Sequence, residues 1–312
     1  MVASDEAGDE ACVSGQRICT ASTSSQVEMA NASAITDHYA RAGLGEVILE
    51  ALKTAGKDID KLTPDDLAPL DEHHPRGRSS TVDLARLAAI KAEDRVLDLG
   101  SGIGGPSRYL AKTFGCRVLG IDLTPEFCRV AAMLTERTGL TEKIQYQQGD
   151  ALEMAIADQS FDVVWSQEVA MNIADRDRLY AEIRRVLKPG GRYVFADVVA
   201  SDGRSPHFPV PWAREPSASF LLTAEGTRQK MEAAGFYLRA LEDQTGDCIA
   251  QQKARAHHAG SPAVLGIHIV LGREGPRMLE NTARNFEEGR TGLVQGVAVR
   301  SAEPHGSSWP RA

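Results

Sequence analysis

The sequence predicts an α/β protein built on an open sheet with helices packed against it, and three observations carry that prediction. An apolar run beginning at Arg95 breaks at Leu99 into a glycine-rich turn and then a helical pattern, within RVLDLGSGIGGPSRYLAKTF. Strand, glycine turn, helix is the ligand-binding corner of such folds. Short apolar runs then alternate with helical segments as far as about Asp243. The third observation is size and composition: 312 residues, 42% hydrophobic and 25% charged, suit one large α/β domain with appendages.

Taken in order, residues 1–32 are rich in Ser, Ala and Glu and bury too little apolar surface to fold, so a disordered tail is expected. Its acids and weak apolar content fit neither a secretory signal nor a transit peptide. Residues 33–79 are expected to form a helical cover. Ile35 to Ala55 has helical spacing, interrupted near Gly43 and Gly45, and Thr63-Pro64-Asp65 starts a second helix. An amphipathic helix follows from about Ser80 to Ala89, with Ser79, Ser80 and Asp83 as its expected cap.

The core is expected over residues 80–243. Strands are predicted at Arg95–Leu99, Arg117–Asp122, Ile144–Gln148, Phe161–Gln167, Arg192–Val199 and Tyr237–Asp243. Helices are predicted at Ser107–Phe114, Thr124–Thr138, Asp177–Leu187 and Thr223–Ala234, the third ended by Pro189-Gly190-Gly191 and the last by Gly235. Residues 244–292 form an insertion of two helices joined near Gly260–Pro262, a last strand follows at 293–300, and 301–312 is a frayed tail.

The glycine turn constrains the ligand. Gly100, Gly102 and Gly105 satisfy the G-x-G-x-x-G fingerprint, and Asp122 stands where a ribose-binding acid is expected. That pattern alone also fits a nicotinamide-dependent oxidoreductase. Asp98, two positions before the first glycine, separates the two: a carboxylate there repels a pyrophosphate on the helix N-terminus and attracts a sulfonium with an ammonium. The turn therefore favours S-adenosylmethionine over NAD.

VLDLGSGIGG, GIDLTPEF, QGDALEM, FDVVWSQEVAMNI and RVLKPGGRYVFADVV, in that order, resemble the motif series of class I S-adenosylmethionine-dependent methyltransferases. The resemblance covers about Ser80 to Asp243. Within the class the chain is most similar to small-molecule N-methyltransferases of the sarcosine and dimethylglycine type, prompted by WSQEVAMNI and EEGRTGLVQGVAVR, and to quinone and tocopherol C-methyltransferases. It implies a Rossmann-like, seven-stranded mixed sheet in the order 3-2-1-4-5-7-6, the last strand antiparallel, with helices on both faces.

The resemblance also implies a cofactor site. Asp98, Gly100, Gly102 and Gly104 would hold the methionyl portion, Asp122 and Leu123 the ribose, and Asp150 and Ala151 the adenine, with Gln167 beside the methyl end. Placement alone proposes His73, His74, Glu168 and Asn172 as catalytic candidates. Arg78, Met171, His207 and Trp212 are the acceptor-binding candidates. The cluster Asp71, Glu72, His73, His74, Arg76 and Arg78 reads equally as a solvated loop, and the aromatics Phe208, Trp212 and Phe220 as core cover.

The expected activity is methyl transfer to a small-molecule acceptor, first an amine nitrogen, with a C- or O-methyltransferase on a quinol or phenol as the alternative. A cofactor-binding protein without turnover is the remaining reading. Adjacent histidines without partners at ligand spacing predict no metal site. A net charge of −8 argues against a nucleic-acid partner. Five cysteines without a close-spaced framework suggest a reduced, cytoplasmic protein, and no apolar run is long enough for a membrane span. The oligomeric state is not legible.

Overall fold

The computed structural model describes residues 42–72, 74–201, 203–258 and 265–301. Its strands are β1 Arg95–Leu99, β2 Arg117–Asp122, β3 Ile144–Gln148, β4 Phe161–Gln167, β5 Leu187–Ala200, β6 Phe236–Asp243 and β7 Thr291–Arg300. They form one sheet in the order β3-β2-β1-β4-β5-β7-β6. The first five run parallel, and β7 pairs antiparallel with both β5 and β6, as the motif series implies.

Alternation along the strands builds a core on each face of the sheet. Leu97, Val164, Tyr193 and Phe195 point to one side. They pack there with Tyr180 and Ile183 of helix α6 (Arg176–Val186) and Met231 of α7 (Ala224–Ala233). Val96, Val163, Trp165 and Val194 point to the other side, against Leu84 of α3 (Arg78–Ala88) and Leu110 of α4 (Gly105–Phe114). Covered on both faces, β4 and β7 are buried almost throughout.

The cover consists of α1 (Leu44–Thr54) and α2 (Pro64–Asp71), whose Leu44, Ile48, Leu67 and Leu70 pack on Phe127, Val130 and Leu134 of α5 (Pro125–Arg137). The expected start at Thr63 is a full capping box: Thr63 accepts from the Asp66 N–H while Asp66 accepts from the Thr63 N–H. The interruption expected near Gly43 is present: Gly43 adopts a left-handed φ of +74° and α1 starts at Leu44, while the expected segment from Ile35 to 41 lies outside the described residues.

The expected cap of α3 is not formed. Gly77, at φ +57°, turns the chain directly into the helix without a side-chain cap. Ser79 instead donates to the Arg76 carbonyl, and Asp83 accepts from Arg76 and Arg86. The fifth strand also differs, since Leu187 already pairs with Phe161, and Lys188 to Gly191 bulge out before Arg192 pairs with Val163. After β6 come α8 (Thr245–His258), a single turn α9 (His268–Leu271) and α10 (Gly275–Glu287), so three helices replace the two expected. Their expected joint near 260–262 lies outside the described residues, as do residues 1–32 and 302–312.

Candidate active site

The carboxyl ends of β1, β2 and β4 open into a cavity of about 1780 Å³, roofed by α2 and by residues 211–212 and 265–283. The glycine turn forms its floor. Gly100 and Gly102 have φ of +69° and +51°, which residues with a Cβ rarely adopt. The Gly100 N–H donates to the Ile121 carbonyl, and a Cβ at Gly100 would collide with Val169. A Cβ at Gly102 would meet nothing, so its backbone is bare toward the cavity. Gly104 does not line the cavity: its φ of +88° and the closeness of Tyr146 and Arg108 make it a packing glycine.

Two acids fix the turn. Asp122 Oδ2 accepts from the Gly102 N–H at 2.9 Å and Oδ1 from the Thr124 N–H at 2.8 Å. Burial raises its pKa, and those two N–H groups work against the rise. Asp98, 2% exposed, accepts from Ser107 Oγ at 2.5 Å. Burial pushes it up to about 7, against the Ser107 hydroxyl and the nearby His74, while Asp122 and Glu72 push it further. Asp98 is thus a carboxyl that a cation in the cavity would ionise.

Further along the wall, exposed Asp150 accepts from the Leu152 N–H at 2.8 Å, and Leu123, Ala151 and Leu152 line the cavity beside it. Gln167 is held from behind. The Trp165 indole N–H, which can only donate, meets Gln167 Oε1 at 2.9 Å and so fixes which way the amide points. Thr81 Oγ1 lies 3.2 Å from the same oxygen but 2.6 Å from Glu72 Oε2, and the shorter contact takes its one proton.

Glu72 is the residue sequence reasoning left unassigned. Its side chain is fully buried and receives Thr81, the Arg78 Nε at 2.6 Å and the His74 Nε2 at 3.4 Å. Burial acts to raise it, yet His74, Arg78 and Thr81 together bring it below the usual glutamate range. His74 is 7% exposed, lines the cavity and has no hydrogen-bond partner on Nδ1. His73 lies outside the described residues. Arg78 is committed to Glu72, to Asp65 at 3.2 Å and to the Pro64 carbonyl at 3.0 Å, and its guanidinium sits 5.0 Å from the Tyr109 ring centre. It is therefore not the free acceptor-binding cation expected from the sequence.

Glu168, at the tip of β4, has φ +60° and one buried carboxylate oxygen without a partner. Burial, then the charge of Asp197, raises its pKa well above the usual value. Asp197 is itself pushed up to about 6 by burial against the pull of Arg176 and of the Ala170 and Val169 N–H groups. A lone acid inside an apolar strand is the signal that Asp98 gives, and FADVV repeats it at Asp197.

Asn172, Met171 and Trp212 line the cavity. Asn172 spends its amide on the carbonyls of Trp212 at 2.6 Å and Ala218 at 3.2 Å, so it pins the 212–218 loop. His207 is not brought to the cavity. Its ring pairs with Glu288 Oε2 at 2.9 Å and its N–H donates to Asn285, which ties residue 207 to α10. Among the described residues no group of three or more His, Cys, Asp or Glu could hold a metal, and no helix is long and apolar enough to cross a membrane.

Residues 97–195 match the family described as a methyltransferase domain. The chain is 38% identical over 138 residues to glycine/sarcosine/dimethylglycine N-methyltransferase of Actinopolyspora halophila, a match covering 44% of this chain and 23% of that protein. It is 41% identical over 106 residues to a probable chloroplastic tocopherol O-methyltransferase of Oryza sativa subsp. japonica, covering 34% of this chain and 29% of that one. These matches span less than a third of either relative's length. The crystal structure of a putative sarcosine dimethylglycine methyltransferase from Galdieria sulphuraria superposes with a TM-score of 0.56 at 19% identity, covering 83% of this chain and 98% of that one. Residues 97–195 thus match a methyltransferase-domain family, and the sheet around them has the fold of the Rossmann-like methyltransferases.

Proposed function

We propose that the protein is an S-adenosylmethionine-dependent methyltransferase acting on a small-molecule amine. The observation that carries this reading is the pair Asp98 and Asp122 at adjoining strand tips, flanking a bare glycine turn at the floor of the cavity. Carboxylates there oppose a diphosphate and favour a ligand that carries cations and hydroxyls. The methyltransferase-domain match and the N-methyltransferase name of the Actinopolyspora halophila relative support it.

The residues present fit that cofactor. Asp98 and His74 would hold its amino-acid end, Asp122 and Leu123 the ribose, and Asp150 with Ala151 the adenine, while Gly100 and Gly102 let the backbone approach. When bound, S-adenosylmethionine supplies an electrophilic methyl group. The chain's own contribution is alignment in a water-poor cleft. Gln167, fixed by Trp165, marks the boundary with the acceptor; Glu168 offers a carboxyl oxygen to the amine and takes the proton it loses. Met171 and Trp212 wall the acceptor, and Asn172 positions that wall through its bonds to the 212–218 loop.

We assign residues 80–243 with 293–300 to the catalytic core, 33–79 and 244–292 to its cover. The acidic net charge supports a role without nucleic acid, and the free Cys116, Cys128 and Cys248 support the reducing cytoplasm. Calorimetric titration with S-adenosylhomocysteine and with NADH tests the cofactor assignment: binding of the first and not the second is expected, and the reverse overturns it. Transfer of labelled methyl to an amine, with the product's methyl located on nitrogen, tests the reaction.

A further inference from the structure

The cavity is larger and more one-sided in charge than the cofactor requires. A pocket for one small-molecule ligand measures roughly 300–1,000 Å³, and this cavity has about 1780 Å³. Its described lining carries ten carboxylates, two arginines and no lysine. Both arginines are committed: Arg78 to Glu72 and Asp65, Arg178 to the Leu152 carbonyl at 2.9 Å and to Glu153 at 3.2 Å. His74 faces Glu72 at the glycine-turn end, where the cofactor's own carboxylate would take it.

The acceptor end combines apolar side chains with acids and neutral polar groups, Glu168, Glu280, Asn172 and Thr282, and its described lining offers no free cation. Met171, Pro211, Trp212, Leu271 and Leu279 are its apolar part. Leu279 is 40% exposed, one of only three large hydrophobic side chains so exposed among the described residues, and it stands at the cavity wall. An anionic acceptor would leave water here to meet no free cation among the described lining residues, and the Glu168 carboxyl oxygen that has no partner. A cationic nitrogen on an apolar body would meet a partner and cover the exposed leucine.

We propose that the acceptor is an amine carried on a bulky apolar body, bearing no carboxylate or phosphate. This rests on the methyltransferase reading and narrows it: amino acids and phosphate esters are excluded as acceptors, and Glu168 is the site that receives the amine.

Matched probes test it. With the full chain saturated in S-adenosylhomocysteine, tryptamine, tryptophan and sarcosine are titrated calorimetrically; tryptophan keeps the indole and the amine and adds only the carboxylate. Tryptamine is expected to bind at least about tenfold tighter than tryptophan, and sarcosine weakest. Equal or tighter binding of tryptophan or sarcosine overturns the proposal, as does absence of tryptamine binding to protein that has bound S-adenosylhomocysteine. Failure to bind S-adenosylhomocysteine at all brings down the parent reading instead, and this inference with it. Glu168→Gln is expected to weaken tryptamine about tenfold while S-adenosylhomocysteine affinity stays within about twofold; unchanged tryptamine affinity removes Glu168 as the receiving group.

Discussion

The two ends of the cavity are built on different principles. At the glycine-turn end the contacts that fix the ligand-facing groups are polar and mostly reach backbone: Asp122 grips two N–H groups, Gly100 donates to the next strand, and Asp98 holds a buried side-chain hydroxyl. At the acceptor end the wall is largely apolar side chain, contributed by the 211–212 loop and by α9 and α10 and tethered by a few amide bonds such as those of Asn172. The first end is rigid because strand tips leave its donors no freedom. The second is a shape, and a change of side chain would re-cut it without touching the sheet.

The largest effect is expected where the glycine-turn end is joined to the cover. Arg108, fully buried on α4, donates to Asp71 at 2.7 Å and to the Ile103 carbonyl at 2.7 Å, and the Asp71 carbonyl lies where a Cβ on Gly105 would go. Arg108→Ala strands a buried carboxylate, which costs roughly 3–5 kcal/mol. Thermal unfolding should drop by on the order of 10 °C, with the cover lost before the sheet by hydrogen exchange. A uniform loss of protection would show that cover and sheet are one unit and dissolve the contrast between the two ends.

Next in size is Gly100→Ala. A left-handed backbone costs a residue with a Cβ roughly 1–3 kcal/mol, and the new methyl meets Val169. Affinity for S-adenosylhomocysteine should fall by about 100-fold, and Val169→Ala in the same chain should restore part of it. Full tolerance of the alanine would show that this end is as plastic as the other.

The same contrast decides what the sequence could show. Asp98, Asp122, Gly100 and Gly102 are legible because a lone acid in an apolar strand, or a glycine beside it, has few structural reasons to be there. Sheet order followed from the ordered motifs and is as implied. Glu72 was invisible because its burial depends on Arg78, Thr81 and His74 folding back over β4, a tertiary fact with no local period. Arg78 misleads for that reason: in sequence it is a free cation, in the fold a spent one. The cap expected at Ser79 and Asp83 failed to the left-handed Gly77.

A smaller effect sharpens the electrostatics of the polar end. Asp98 stands at about 7, faced by Ser107, by His74 and Glu72 from the cover and by Asp122 from the next tip. A ligand ammonium binds the ionised form, so affinity rises with pH, and S-adenosylhomocysteine should bind about tenfold more weakly at pH 6 than at pH 8. Stability carries the opposite sign. An acid raised in the fold favours the native state while protonated, so without added ligand the protein loses stability from about pH 4 to about pH 7. Asp98→Asn should flatten both profiles, and a pH-independent affinity in the parent protein would show that Asp98 does not meet the cation.

The smallest expected effect is at His207, and it separates a residue that is near the acceptor in sequence from one near it in space. His207 stands five residues before Trp212, yet its ring turns to Glu288 and its N–H to Asn285, away from the cavity. Glu288 also accepts from Arg284 and Arg290 at 2.6 Å, so removing the imidazole leaves that carboxylate partnered and still held well below the usual range. The backbone bond from residue 207 to Asn285 survives any side-chain change. His207→Ala should therefore keep acceptor KM and kcat within about twofold and the unfolding temperature within about 2 °C. A steep loss of kcat with unchanged unfolding would mean that the 205–212 loop swings inward when acceptor binds, and the apolar end would then be a closing surface rather than a fixed wall.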